Sequence, residues 1–97
     1  MAILHLVSQS PYDSCGLTHC LSRAGAGDAI LLLENGVYAA RKAFSPLYVS
    51  TGQKLFVLRE DLDSRGVGCD ELIPEITLVD YPGFVDLVTE YTHSLSW

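Results

Sequence analysis

The chain has 97 residues and a formal charge of −6, and its six basic residues are scattered, with only Arg41 and Lys42 adjacent. That length holds one hydrophobic core, so a single domain over residues 1–97 is expected. The acidic surface repels phosphate backbones and speaks against direct nucleic-acid binding. The first thirteen residues, "MAILHLVSQSPYD", have no basic lead and no long apolar run, so neither a signal peptide nor a membrane span is expected and the chain reads as cytoplasmic.

Four apolar runs organise the chain: "AILHLV" (2–7), "AILLLE" (29–34), "KLFVLR" (54–59) and the weaker "EITLVDY" (75–81). Each is short and nearly continuous instead of alternating, the pattern of strands buried on both faces, which predicts a covered parallel sheet. Parallel neighbours need crossovers, and the intervening segments carry helical marks. Between the first two runs, Leu17, Cys20, Leu21 and Ala24 fall on one stripe, with Asp13 or Ser14 as cap and Gly25 or Gly27 as stop, which predicts a helix over about 14–24.

After the second run, Asn35-Gly36 reads as a turn followed by a short helix-like stretch from Val37 to Lys42, and "FSPLYVSTGQ" (44–53) as a loop. "EDLDSRG" starts acidic and ends in glycine, which suits one or two helical turns. "PGFVDLVTEYTHSLSW" has Phe84, Leu87, Val88 and Tyr91 at helical spacing and reads as the last helix. The fold class is therefore α/β. Apolar residues make up 48% of a chain too small to hide them all, so contact with another subunit is expected.

The chemistry lies in "DSCGLTHC" (13–20). Cys15 falls at the helix start, where unpaired N–H groups and the helix dipole favour a thiolate, and His19 stands four residues on. Cys15 with His19 could form a reactive pair or a free-standing redox sensor, but an ordinary cap residue beside a solvated histidine is the favoured reading. Cys20 belongs to the apolar stripe, where a thiol usually packs as an inert hydrophobe. Cys69 lies in a glycine-rich connection, His5 reads as a hydrogen-bonded core histidine, and His93 as exposed. Three cysteines without Cys-x-x-Cys spacing fit neither a disulfide framework nor a thiolate zinc site. Asp61, Asp63, Asp70, Glu71 and Asp80 have no spacing that fixes acid–base roles, and no phosphate loop, dinucleotide fingerprint or nucleophile elbow is present. Neither cofactor nor metal is expected.

Taken in order, "ILHLVSQSPYD", "AILLLENGVYAA", "LFVLREDLDSRG", "VDYPGFVDLV" and the closing tryptophan make the chain resemble the DsrH/TusB family of sulfur-relay subunits, from Ile3 to Trp97. The resemblance implies a DsrE-like α/β fold with a mainly parallel, four- to five-stranded sheet flanked by helices. It also implies a heterohexamer with DsrE-like and DsrF-like partners, two copies of each chain, exchanging sulfur with a DsrC-like carrier. One branch of the family serves oxidation of stored sulfur and the other transfer-RNA thiolation. DsrH-type chains resemble this one in having a cysteine aligned with Cys20, so the resemblance favours the sulfur-oxidising branch and makes Cys20 the candidate sulfur acceptor. Cys15 is the alternative, and a purely structural subunit is the rival reading, because the family's principal active cysteine is expected in the DsrE-like partner.

Overall fold

A computed structural model describes residues 2–48 and 52–97. Five strands, β1 (Ile3–Val7), β2 (Ala29–Leu32), β3 (Lys54–Leu58), β4 (Thr77–Val79) and β5 (His93–Ser96), form one sheet in the order β4-β3-β2-β1-β5. Every pairing is parallel, with Leu4 opposite Ala29, Ile30 opposite Leu55 and Leu4 opposite Ser94. All four β2 residues are buried, which is why that segment shows an unbroken apolar run.

Among the described residues three α-helices lie between the strands: α1 (Gly16–Arg23), α2 (Arg59–Ser64) and α3 (Tyr81–Glu90). The chain steps from β1 to β4 in one direction and then returns to the far side of β1 for β5. Right-handed crossovers put the outgoing connections on one face and the returning connection on the other. The two buried clusters follow that division. Leu17 and Cys20 of α1 and Leu62 of α2 pack with Val7, Ile30, Leu32 and Val57, while Leu87 of α3 packs with Leu4, Ala29 and Leu31.

The expected first helix is present but shorter. Cys15 stands at its N-cap without a side-chain hydrogen bond, and Ser14 Oγ instead accepts the Gly16 N–H at 3.0 Å. Ala24 is already extended at the other end, and Gly27 (φ +92°) turns the chain into β2. The expected turns after β3 are α2, followed by Gly66 at φ +69°.

Two expectations need correction. Beyond β2 the chain forms two seven-residue 3₁₀ stretches, Glu34–Ala40 and Lys42–Tyr48, in place of a turn, a short helix and a loop; residues 49–51 of that expected loop lie outside the described residues. The first stretch is pressed onto the end of β1, since Leu33 N–H donates to Val7 O at 3.1 Å and a Cβ on Gly36 would lie 2.0 Å from the same oxygen. Tyr48 Oη–H donates to Ala39 O at 3.0 Å and ties the second stretch to the first.

The last segment is also not one helix. Asp80 caps α3 by accepting the Gly83 N–H at 2.9 Å, the helix ends at Glu90, and Tyr91 leads in extended conformation to β5. Pairing with β1 decides the matter: His93-Ser94-Leu95-Ser96 has one apolar residue in four, so no local periodicity marks it as a strand.

Candidate functional site

The two thiols of the "DSCGLTHC" segment end up in opposite environments because they lie on different sides of the α1 entrance. Cys15 is exposed, in the connection that leaves the carboxyl end of β1. In open α/β sheets ligands bind at the carboxyl ends of strands where the winding reverses, and here it reverses at β1, flanked by β2 and β5. His19 is exposed too. Its backbone N–H donates to Cys15 O at 2.9 Å, but among the described residues no hydrogen bond joins the imidazole to the Cys15 sulfur, so the reactive pair that the spacing allowed is not assembled.

Cys20 is fully buried in the cluster that includes Leu17, Ile30, Val37 and Tyr48. Burial first, and then the negative charge of Asp28, push its thiol up to about 12. The group is a neutral thiol at neutral pH, whereas sulfur exchange needs a thiolate that its partner can reach. Burial and then Cys20 likewise raise the Tyr48 phenol.

The buried histidine and aspartate close by form a fixed network. Trp97 Nε1–H donates to His5 Nδ1 at 3.1 Å, and an indole nitrogen can only donate. The ring proton therefore sits on Nε2, which donates to Asp28 Oδ2 at 2.8 Å. Both imidazole nitrogens are engaged, leaving no lone pair to take a proton from Cys20. Asp28 also accepts the Ile3 N–H on Oδ1 and the Gly25 N–H on Oδ2, both at 3.0 Å. Burial alone would raise this carboxyl, but those donors outweigh it and hold Asp28 below the usual carboxylate range.

His5 is thus the hydrogen-bonded core residue that its apolar flanks suggested. Asp28 and Trp97 escaped sequence reasoning. The one available signal was an acidic residue wedged between "GAG" and a wholly apolar strand, facing a histidine in the neighbouring apolar run. Cys69 is exposed at the head of a 3₁₀ turn, Cys69–Glu71, and among the described residues no group of three or more His, Cys, Asp or Glu side chains could hold a metal ion. Asp61 bonds the Glu34 N–H and pairs with Arg65 at 3.8 Å, and Asp80 lies 3.8 Å from Arg59; both carboxylates serve local structure.

A parallel five-stranded sheet, with a returning strand beside the first, makes the chain a small α/β protein with an exposed thiol just beyond the carboxyl end of β1 and a second, buried one in α1. The chain belongs to the DsrH family: the family model described as "DsrH like protein" matches residues 9–94. Curated relatives called Protein TusB are 35% identical in Erwinia tasmaniensis and 38% identical in Yersinia pestis strain Pestoides F, each over 98% of this chain and 100% of the relative. Two solved structures share the fold at 14% identity. The ychN protein from E. coli superposes with a TM-score of 0.76 over 100% of both chains. MTH1491, a protein of unknown function from Methanobacterium thermoautotrophicum, gives 0.67 over 99% of this chain and 97% of its own. Among the described residues no helix is long and apolar enough to cross a membrane.

Proposed function

We propose that this chain, one DsrH/TusB-like domain over residues 1–97, is a cytoplasmic subunit of a sulfur-relay complex and that its contribution is architectural. Membership of the DsrH family supports the relay, and the state of Cys20 supports the architectural part: a sulfur with no exposed surface and a thiol pushed up to about 12 is poorly suited to attack a donor persulfide. Its partners on this reading are DsrE-like and DsrF-like chains in a heterohexamer with two copies of each, and the transferable sulfur resides on a partner before passing to a DsrC-like carrier. The cysteine at position 20 favours the sulfur-oxidising branch. Transfer-RNA thiolation is the second reading, favoured by the TusB name of the curated relatives.

The deciding experiment is peptide mass spectrometry on the assembled complex after incubation with a persulfide donor. The DsrE-like chain should gain one sulfur, about 32 Da, and the peptide bearing Cys20 should gain none. A sulfur found on Cys20 overturns the architectural reading and restores it as a carrier, which would require assembly to open the turn above it. A sulfur found on Cys15, the exposed thiol, also overturns it and moves the relay to the rim of β1.

A further inference from the structure

The two faces of the sheet are not equally covered. One carries α1, α2 and both long 3₁₀ stretches; on the other, among the described residues, α3 is the sole helix. It must link the carboxyl end of β4 to the amino end of β5, strands on opposite edges of the sheet. Four strand spacings amount to about 19 Å, whereas ten helical residues extend about 15 Å, so α3 crosses the face diagonally and leaves corners open.

The helix itself is apolar over more of its circumference than the sheet can use. Leu87, Phe84 and Tyr91 pack inward. At about 100° per residue, Val88, Tyr81 and Val85 continue the same arc outward by roughly another 100°, and they are 43%, 52% and 60% exposed. A covered helix normally needs an apolar stripe only about 100° wide. The excess is a ridge of three large apolar side chains at i, i+4 and i+7 that nothing among the described residues covers. Asp86 and Glu90, both exposed, take the other flank, and α3 contains no lysine or arginine.

We propose that this α3 face is a docking surface for a non-identical subunit that presents an apolar strip with a lysine- or arginine-bearing rim. Charge selects that occupant over a second copy. In a two-fold contact the same surface meets itself, which would bring Asp86 and Glu90 towards their own equivalents on a chain already carrying −6; a basic rim turns the same carboxylates into attractive, steering charges. The proposal rests on the relay-subunit reading for the source of the partner and adds which surface of this chain the partner covers.

The test is co-expression with the DsrE-like and DsrF-like chains of the same source, followed by size-exclusion chromatography with mass measurement. Wild type should elute as a mixed complex. Val85→Lys, at an exposed position that leaves the core intact, should weaken assembly at least ten-fold, while Leu47→Lys, an apolar residue on the opposite side with similar exposure, should assemble as wild type does. The Asp86→Lys/Glu90→Lys pair should weaken assembly at low salt and flatten its salt dependence. Normal assembly of Val85→Lys overturns the docking proposal while leaving the relay reading standing, and so does an isolated wild-type chain that dimerises through Val85. If the wild-type chain joins no mixed complex, the relay reading falls and takes the named occupant with it.

Discussion

The face that holds Cys20 and the face that holds α3 belong to one sheet, yet they follow different rules. On the Cys20 face the chain supplies its own cover, and the side chains of α1, α2 and the 3₁₀ stretches leave Val7, Ile30, Leu32, Val37 and Val57 without exposed surface. On the α3 face one ten-residue helix covers a five-stranded sheet, and of its side chains just Leu87 is buried. The difference is that Cys20, His5 and Asp28 sit where solvent is absent, whereas Tyr81, Val85 and Val88 stand where a neighbour can reach them.

The largest expected effect lies on the closed face. Gly36→Ala would drive a Cβ to 2.0 Å from Val7 O and 2.8 Å from Val7 C, both backbone atoms that cannot step aside. The first 3₁₀ stretch would have to leave the end of β1, at a cost of at least ~3 kcal/mol. Chemical denaturation measures it, and a cost near zero would mean that this face is as loosely closed as the other.

Next comes Asp28→Asn. Three donors converge on the two carboxylate oxygens, and an amide nitrogen in either position cannot accept them, so the substitution should cost about 3 kcal/mol. Its pH signature has a definite sign. The Asp28 carboxyl is held below its ordinary value in the folded state, so its stabilisation is complete above the ordinary range near pH 4 and is lost as pH falls through the lower folded value. Urea denaturation from pH 7 down to pH 2 should show a flatter acid limb for Asp28→Asn than for wild type.

The smallest effect is that of Cys20→Ala, about 1 kcal/mol at neutral pH for the lost sulfur contacts. It sharpens the comparison at alkaline pH. The folded thiol keeps its proton to about 12, against 9.0 for an ordinary thiol, so the unfolded chain ionises first and wild-type stability falls as pH rises across that window. Cys20→Ala should remove that contribution. If the wild-type alkaline limb matches that of the variant, Cys20 is not sealed, and the contrast between the two faces fails at its central residue.

Much of the architecture was legible because unbroken runs of Leu, Ile and Val have few uses in a chain this short. Residues 29–32 form a buried central strand, and the Leu17–Cys20–Leu21 stripe forms a helix that buries Leu17 and Cys20. Legibility failed where long-range contacts overrode local pattern. The β5 strand exists because Ile3 to Leu6 offer it a hydrogen-bonding edge, and the 3₁₀ stretches exist because Gly36 admits the end of β1. At the thiols, helical spacing placed Cys20 on the inward stripe, and the structure buries it there; spacing also placed Cys15 and His19 within reach of one another, but supplied nothing to hold them together. The Asp28–His5–Trp97 network joins residues up to 92 positions apart, beyond any periodicity read along the chain.

The pairing of β5 with β1 carries a consequence for how the protein is made. Strand β1 has a neighbour on each side, but one of those neighbours, His93–Ser96, is translated about ninety residues later. Until it emerges from the ribosome, the nascent chain has β1 with a bare edge and His5 without its indole partner. Contacts that span so much sequence form late and slowly, so newly made chains pass through an interval in which that edge is open to mispairing.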